Sequence, residues 1–181
     1  MRISKTSAIV GGGGERRAMD FYPTPPEVTV ALLRFLHIPR SSVIWEPAAG
    51  DGAMADVLER FGYDVIRTDI QTGVDFLTAE DRLCDWIITN PPFKGAEEFI
   101  RRAARTGKPF AFLLKCQYWH AAKRTQLFRD NTPSFILPLA WRPDFTGEGN
   151  ALMDMAWNVW MPGVGGDAVY VPLSRPWLLS P

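Results

Sequence analysis

Trp45-Glu46-Pro47-Ala48-Ala49-Gly50-Asp51-Gly52 is the stretch that decides the fold. It follows Val43-Ile44 and leads into Ala53-Met54-Ala55-Asp56-Val57-Leu58. A short, continuously apolar run closed by a small-residue turn reads as a buried strand, and the apolar spacing beyond it reads as a helix. Alanines and glycines in the turn let the backbone approach a ligand closely, at the place where doubly wound sheets bind one. The spacing is not Gly-x-Gly-x-x-Gly, which disfavours a dinucleotide. Glu46 at the strand end is wrong for cradling a pyrophosphate and right for a cationic group. The alternative is a tight strand-to-helix turn with no ligand.

Outward from this junction, short apolar strands alternate with helices. Strands are expected at 43–45, 64–68, 86–89, 110–114, 135–139 and 155–161. Helices are expected at 28–36, with Thr24 as its N-cap and prolines in its first turn, and at 53–61, 96–105 and 120–128. Gly62 and Gly107 close the second and third helices. This alternation indicates a parallel sheet covered on both faces. Residues 1–17, ending in Gly11-Gly12-Gly13-Gly14-Glu15-Arg16-Arg17, read as a flexible arm, because no Gly-Lys-Ser/Thr follows the glycines. Residues 18–181 read as one domain, and the last ten, with three prolines, as a surface wrap.

Two further strand ends carry candidate chemistry. Asp69 ends the second strand, 19 residues after Gly50, and is placed either to accept from two ribose hydroxyls or to cap a turn. Asp75-Phe76 follows, an acceptor for an amino group beside a ring that packs on a purine. Thr89-Asn90-Pro91-Pro92-Phe93 leaves the third strand. The Asn90 side-chain oxygen and the Pro91 carbonyl can both accept from one –NH₂ group. Two prolines stiffen the loop and remove competing N–H donors. Phe93 is then available to stack on a planar base; otherwise Asn90 caps the next helix and Phe93 is core.

With Asp20-Phe21-Tyr22-Pro23-Thr24-Pro25-Pro26 upstream, these motifs resemble the amino-methyltransferases of DNA, and more narrowly the compact adenine-N6 methyltransferases of phages and prophages. The resemblance covers residues 20 to about 161, with the cofactor segment ahead of the catalytic loop, the gamma order. It implies a class I methyltransferase (Rossmann-like) α/β fold, a sheet of about seven mostly parallel strands with helices on both faces, the last strand antiparallel. It implies S-adenosylmethionine as cofactor, held by Phe21, Tyr22, Pro23, Thr24, Glu46, Ala48, Gly50, Asp69, Asp75 and Phe76. Asn90, Pro91, Pro92 and Phe93 then form the catalytic loop, acting on adenine N6 of duplex DNA with the base flipped out. Larger family members add a target-recognition domain, for which this chain has no room. Only the loop 141–150, with Arg142, Asp144 and Glu148, offers a polar segment long enough to touch bases.

Composition narrows the alternatives. With 46 % apolar and 12 % aromatic residues, the composition argues against intrinsic disorder. Residues 1–90 carry 9 Lys and Arg against 13 Asp and Glu, and residues 91–181 carry 11 against 7, so a polyanion is expected to meet the second half. Lys115, Tyr118, Lys123, Arg124 and Arg142 are the candidates for nucleic-acid contact, whereas Arg101, Arg102 and Arg105 fit equally a solvated helix face. Cys84 and Cys116 have no His or Cys at metal-ligand spacing, so no metal site is expected and the thiols read as reduced. With no membrane-spanning run and no signal-peptide apolar region, a cytoplasmic location is expected. Neither His37 nor His120 has an obvious catalytic partner, consistent with a methyl donor already activated by its own charge. RNA or a protein glutamine as substrate, and a non-catalytic binding module, stay open beside the DNA reading. An NAD-linked oxidoreductase lacks its third glycine.

Overall fold

The computed structural model describes residues 23–149, 151 and 153–177. The expected arm over 1–17, Phe21, Tyr22 and Asn150 lie outside the described residues. The elements run α1 (Pro26–Leu36), β1 (Val43–Glu46), α2 (Ala53–Arg60), β2 (Asp64–Arg67), β3 (Trp86–Thr89), α3 (Ala96–Arg105), β4 (Phe110–Lys115), α4 (Thr125–Asp130), β5 (Phe135–Pro138), β6 (Met155–Trp160) and β7 (Val169–Tyr170). The strands form one sheet in the order β2-β1-β3-β4-β6-β5-β7. Every neighbouring pair is parallel except the two that β6 makes, with β4 and β5.

Alternation along each strand sends adjacent side chains to opposite faces, and both faces are dry. Ile44, Ile88, Ala111, Leu113, Trp157 and Val159 meet Val28, Leu32, Met54 and Leu58 of α1 and α2. Trp45, Ile87, Phe110, Phe112 and Trp160 meet Phe99, Ile100 and Ala103 of α3 and Leu127 of α4. The central strands therefore have no solvent face, which is why they read as unbroken apolar runs. The two fully buried indoles are anchored: Trp45 Nε1 donates to Thr68 Oγ1 at 2.7 Å and Trp157 Nε1 to the Val28 carbonyl at 2.9 Å.

Three local expectations differ from the structure. The helix expected over 120–128 starts later, as the six-residue α4, with 3-10 turns at Cys116–Trp119 and Ala122–Arg124 ahead of it. Trp119 stacks on Phe128 with centroids 3.8 Å apart, and the Arg124 guanidinium lies 3.8 Å from the Tyr118 ring centre. These contacts fold the segment back on itself and override helical propensity. The antiparallel strand is β6, seated between β4 and β5, and not the last; β7 adds two residues parallel to β5 at the edge. Thr24 does not cap α1: Pro25 occupies the N-cap position, with no side-chain cap.

Candidate active site

β1 has β2 on one side and β3 on the other, so the connections leaving β1 and β3 part company at its C-terminal end. A crevice must open where they diverge. A cavity of about 250 Å³ lies there, walled by Glu46 at the end of β1, Ala48, Ala49 and Asp51 after it, Asp69 to Gln71 after β2, Asp75 to Leu77, Asn90 and Pro92 after β3, and Pro23 and Thr24 ahead of α1. The three motifs, far apart in sequence, thus share one wall.

The turn after β1 is fixed by backbone geometry. Gly50 and Gly52 have φ of 55° and 89°, in the left-handed region. A Cβ on Gly52 would meet Arg67 Nη1 at 2.7 Å. That guanidinium pairs with Asp56 and Glu59 of α2. Gly52→Ala is expected to lose about 1–2 kcal/mol of stability, from left-handed strain and displacement of the Arg67 head group. Unchanged denaturant unfolding would show that the turn tolerates a side chain.

Asp69 ties the two loops together. Its Oδ2 accepts from the Gly50 N–H at 2.9 Å and its Oδ1 from the Gln71 N–H at 2.8 Å. It therefore caps its own turn and holds the glycine turn, with further lone pairs on both oxygens. Gly50 shapes the wall through this bond and is not itself a lining residue.

Glu46 is 2 % exposed, and its Oε2 is buried with no hydrogen-bond partner. Burial pushes its carboxyl well above the ordinary glutamate range, opposed by a bond from the Ala55 N–H and by the Arg67 charge. Asn90 has the same kind of vacancy. Its Nδ2 donates to Thr24 Oγ1 at 3.2 Å, and its Oδ1 is buried without a partner. Pro91 is buried and Phe93 packs partly buried against the core, neither of them lining the cavity, and Phe93 carries the Lys115 ammonium 3.7 Å from its ring centre.

Phe76 is 1 % exposed and lines the cavity, its ring edge-on to Trp45 at 5.0 Å and tilted against Phe99 at 4.8 Å. Asp75 Oδ1 accepts from the Leu77 N–H at 2.9 Å. More exposed apolar surface beside Phe76 comes from Ile70, 62 % exposed, and Leu77, 36 % exposed, neither named as a site residue from sequence. The available signal was an isoleucine directly behind the strand-end acid, in a turn with no core to join.

The loops after β3, β4 and β5 emerge at the same end of the sheet, because these strands are mutually parallel. Of the candidate nucleic-acid residues there, Tyr118 is buried and locked to Arg124, whose Nη1 also donates to the Tyr118 carbonyl at 2.9 Å. Lys123 is exposed, and Arg142 is exposed and paired with Asp154 at 2.7 Å. Asp144 organises the loop 144–149, accepting from the N–H groups of Thr146, Gly147 and Gly149 and from the Thr146 hydroxyl, which together hold its carboxyl below the usual range. Arg101 pairs with Glu97 on the α3 surface, whereas Arg102, largely buried, pairs with Asp81, donates to the Ala79 carbonyl and lies over the Phe76 ring. Among the described residues there is no cluster of three or more His, Cys, Asp or Glu able to hold a metal, and no helix long and apolar enough to cross a membrane.

No family model matches the sequence, and no curated protein matches it. Solved structures are similar in fold. The methyltransferase subunit of a type I restriction-modification system from Streptococcus thermophilus superposes with a TM-score of 0.61 at 11 % identity, over 86 % of this chain and 48 % of that one. A dimethyladenosine transferase from Plasmodium falciparum gives 0.55 at 12 %, over 78 % and 63 %. A 1,6-didemethyltoxoflavin-N1-methyltransferase from Burkholderia thailandensis, solved with bound 1,6-didemethyltoxoflavin and S-adenosylhomocysteine, gives 0.52 at 11 %, over 76 % and 79 %. The chain spans less than two thirds of the first two. The seven-stranded, mostly parallel sheet is the Rossmann-like class I methyltransferase fold.

Proposed function

We propose that the protein transfers a methyl group from S-adenosylmethionine to an exocyclic amino nitrogen, with adenine N6 in DNA as the substrate best supported. The observation that carries this reading is the buried, unpartnered Asn90 Oδ1 in the wall of a cavity that also presents Glu46 and Asp69. A stranded acceptor at such depth costs free energy unless a donor arrives to meet it. The similarity to a restriction-modification methyltransferase subunit supports DNA. The similarity to a dimethyladenosine transferase keeps adenine N6 in RNA as the second reading.

The residues present fit the cofactor. S-adenosylmethionine, when bound, supplies a methyl group activated by sulfonium charge. Glu46, buried with an open oxygen, attracts the cationic end of the molecule. Asp69 offers its remaining lone pairs to a diol, and Ile70 and Leu77 offer apolar surface to a purine. Asn90 Oδ1 and the Pro91 carbonyl accept from the target –NH₂ and hold its lone pair toward the donor. A base flipped from its stack and packed on the Lys115-covered face of Phe93 exchanges places with that ammonium, which phosphate then attracts.

Glu46 makes cofactor affinity pH-dependent with a definite sign. Its folded value is raised, so the unliganded protein holds a proton that the unfolded chain has released, and stability falls as pH rises from the ordinary glutamate value to the raised one. A cationic ligand favours the carboxylate and expels that proton. Affinity therefore rises with pH across the same window, by at most about tenfold per unit for one proton. Calorimetry in buffers of different ionisation enthalpy checks this, and Glu46→Gln is expected to flatten the profile. A pH-independent wild type would remove Glu46 from the cofactor site.

The reading as a whole is tested by following labelled methyl from S-adenosylmethionine to duplex DNA, RNA and protein in parallel. Label in the N6 position of DNA adenine is expected. Label confined to RNA or protein replaces the substrate, and cofactor binding without transfer to any of them leaves only a binding module.

A further inference from the structure

We infer that Arg102 is a positioning residue for the cofactor, holding residues 75–81 against α3 so that Asp75, Phe76 and Leu77 keep their places in the cavity wall. This rests on the function proposed above and reassigns an arginine whose sequence pattern fits equally a solvated helix face.

Residues 75–81 belong to no helix or strand. Their internal order comes from Asp75, whose Oδ1 accepts from the Leu77 N–H and whose carbonyl accepts from the N–H groups of Thr78 and Ala79. A stretch of this kind has no ladder to hold it and needs a tether to keep one shape. Arg102 of α3 supplies the hydrogen bonds and the ion pair that join it to another element.

Three parts of the segment are reached at once. Arg102 Nη2 donates to the Ala79 carbonyl at 3.0 Å and pairs with Asp81, and the guanidinium carbon lies 5.5 Å from the centre of the Phe76 ring. A guanidinium has donors and no acceptor, so the direction of each bond is fixed. The Arg102 side chain is 11 % exposed, so water does not easily take its place, whereas Asp81 is 56 % exposed and its pair is screened. The Ala79 carbonyl and the Phe76 face therefore carry most of the hold. Phe99, three positions earlier on the same helix face, packs on the same ring at 4.8 Å and itself lines the cavity. One helix thus joins the end of the 90–93 loop to the segment that carries Asp75, Phe76 and Leu77.

The test uses Arg102→Met, which keeps the apolar stem and removes the charge and the donors. S-adenosylmethionine calorimetry, steady-state methyl transfer and amide hydrogen exchange are run on the full chain. Cofactor Kd is expected to rise about tenfold, the worth of one hydrogen bond to a charged group, while kcat at saturating cofactor stays within about twofold of wild type. In the unliganded variant the Leu77, Thr78 and Ala79 amides are expected to exchange about tenfold faster, and those of β1, β3 and β4 at the wild-type rate. Arg102→Lys keeps a cation without the planar fork and is expected to bind with intermediate affinity. A residue that only stabilises the fold would speed exchange throughout and would not split Kd from kcat. If Arg102→Met does not fold, Asp81→Ala takes its place at a more exposed position, with a Kd rise of about threefold and the same local change in exchange expected. Wild-type Kd in the variant measured, a kcat that falls as far as affinity, or exchange that quickens throughout the chain or not at all in 77–79 overturns the inference while leaving the methyltransferase reading intact. A wild-type protein that binds no S-adenosylmethionine overturns both, and the wild type alone shows it.

Discussion

Asn90→Ala is expected to lower methyl transfer at least 10²-fold while leaving both cofactor affinity and thermal stability close to wild type. A single hydrogen-bonding group aimed at the reacting atoms is worth about 10²–10³-fold in rate, roughly 2.7–4 kcal/mol. Stability behaves differently. The substitution gives up one bond, from Nδ2 to Thr24 Oγ1, and also removes a buried oxygen that has no partner in the folded protein. The lost bond is worth about 1 kcal/mol and the relieved oxygen about as much in the opposite direction, so they nearly cancel. Single-turnover rates, calorimetry and a thermal melt separate these effects. Full turnover in the variant would show that the loop only shapes the backbone; a large drop in melting temperature would show that the amide is a structural brace.

Asp69→Ala is expected to act the other way, on binding and folding before rate. The substitution strips the acceptor from two backbone N–H groups at once, those of Gly50 and Gln71. Each partly buried N–H left unpaired costs about 1 kcal/mol at the low end of the usual range, so a loss of about 2 kcal/mol in unfolding free energy is expected. Freed from its tether, the glycine turn no longer holds the shape that fits a ligand, and the lone pairs meant for a diol are gone. Cofactor Kd is expected to rise about 10²-fold by calorimetry, with Asp69→Asn intermediate because an amide keeps one acceptor. A destabilised variant that binds cofactor normally would confine Asp69 to capping its turn.

Much of the architecture is legible in the sequence because buried parallel strands advertise themselves. Val43 to Glu46, Trp86 to Thr89 and Phe110 to Lys115 are short apolar runs that stop at a change of composition, and their C-terminal ends are where ligand chemistry concentrates. What escapes is whatever depends on a distant neighbour. The stacking of Trp119 on Phe128 breaks an otherwise plausible helix. Val169 and Tyr170 form an edge strand too short for any period to show. Ile70 looks like a stray apolar residue until it is seen to line the cavity beside Phe76. The bond from Asn90 to Thr24 joins residues on different elements, and nothing local to either announces it.

The place of β6 has a consequence for how the chain comes off the ribosome. Phe110-Ala111-Phe112-Leu113-Leu114 leaves the exit tunnel as an uncharged, β-prone run whose permanent neighbour, Met155–Trp160, has yet to be made. Until then one side of β4 offers unsatisfied amides and carbonyls to any passing strand, the condition in which nascent chains stick to one another. Growth at lower temperature, slower translation or a holding chaperone should therefore raise the yield of folded protein more than any single stabilising substitution.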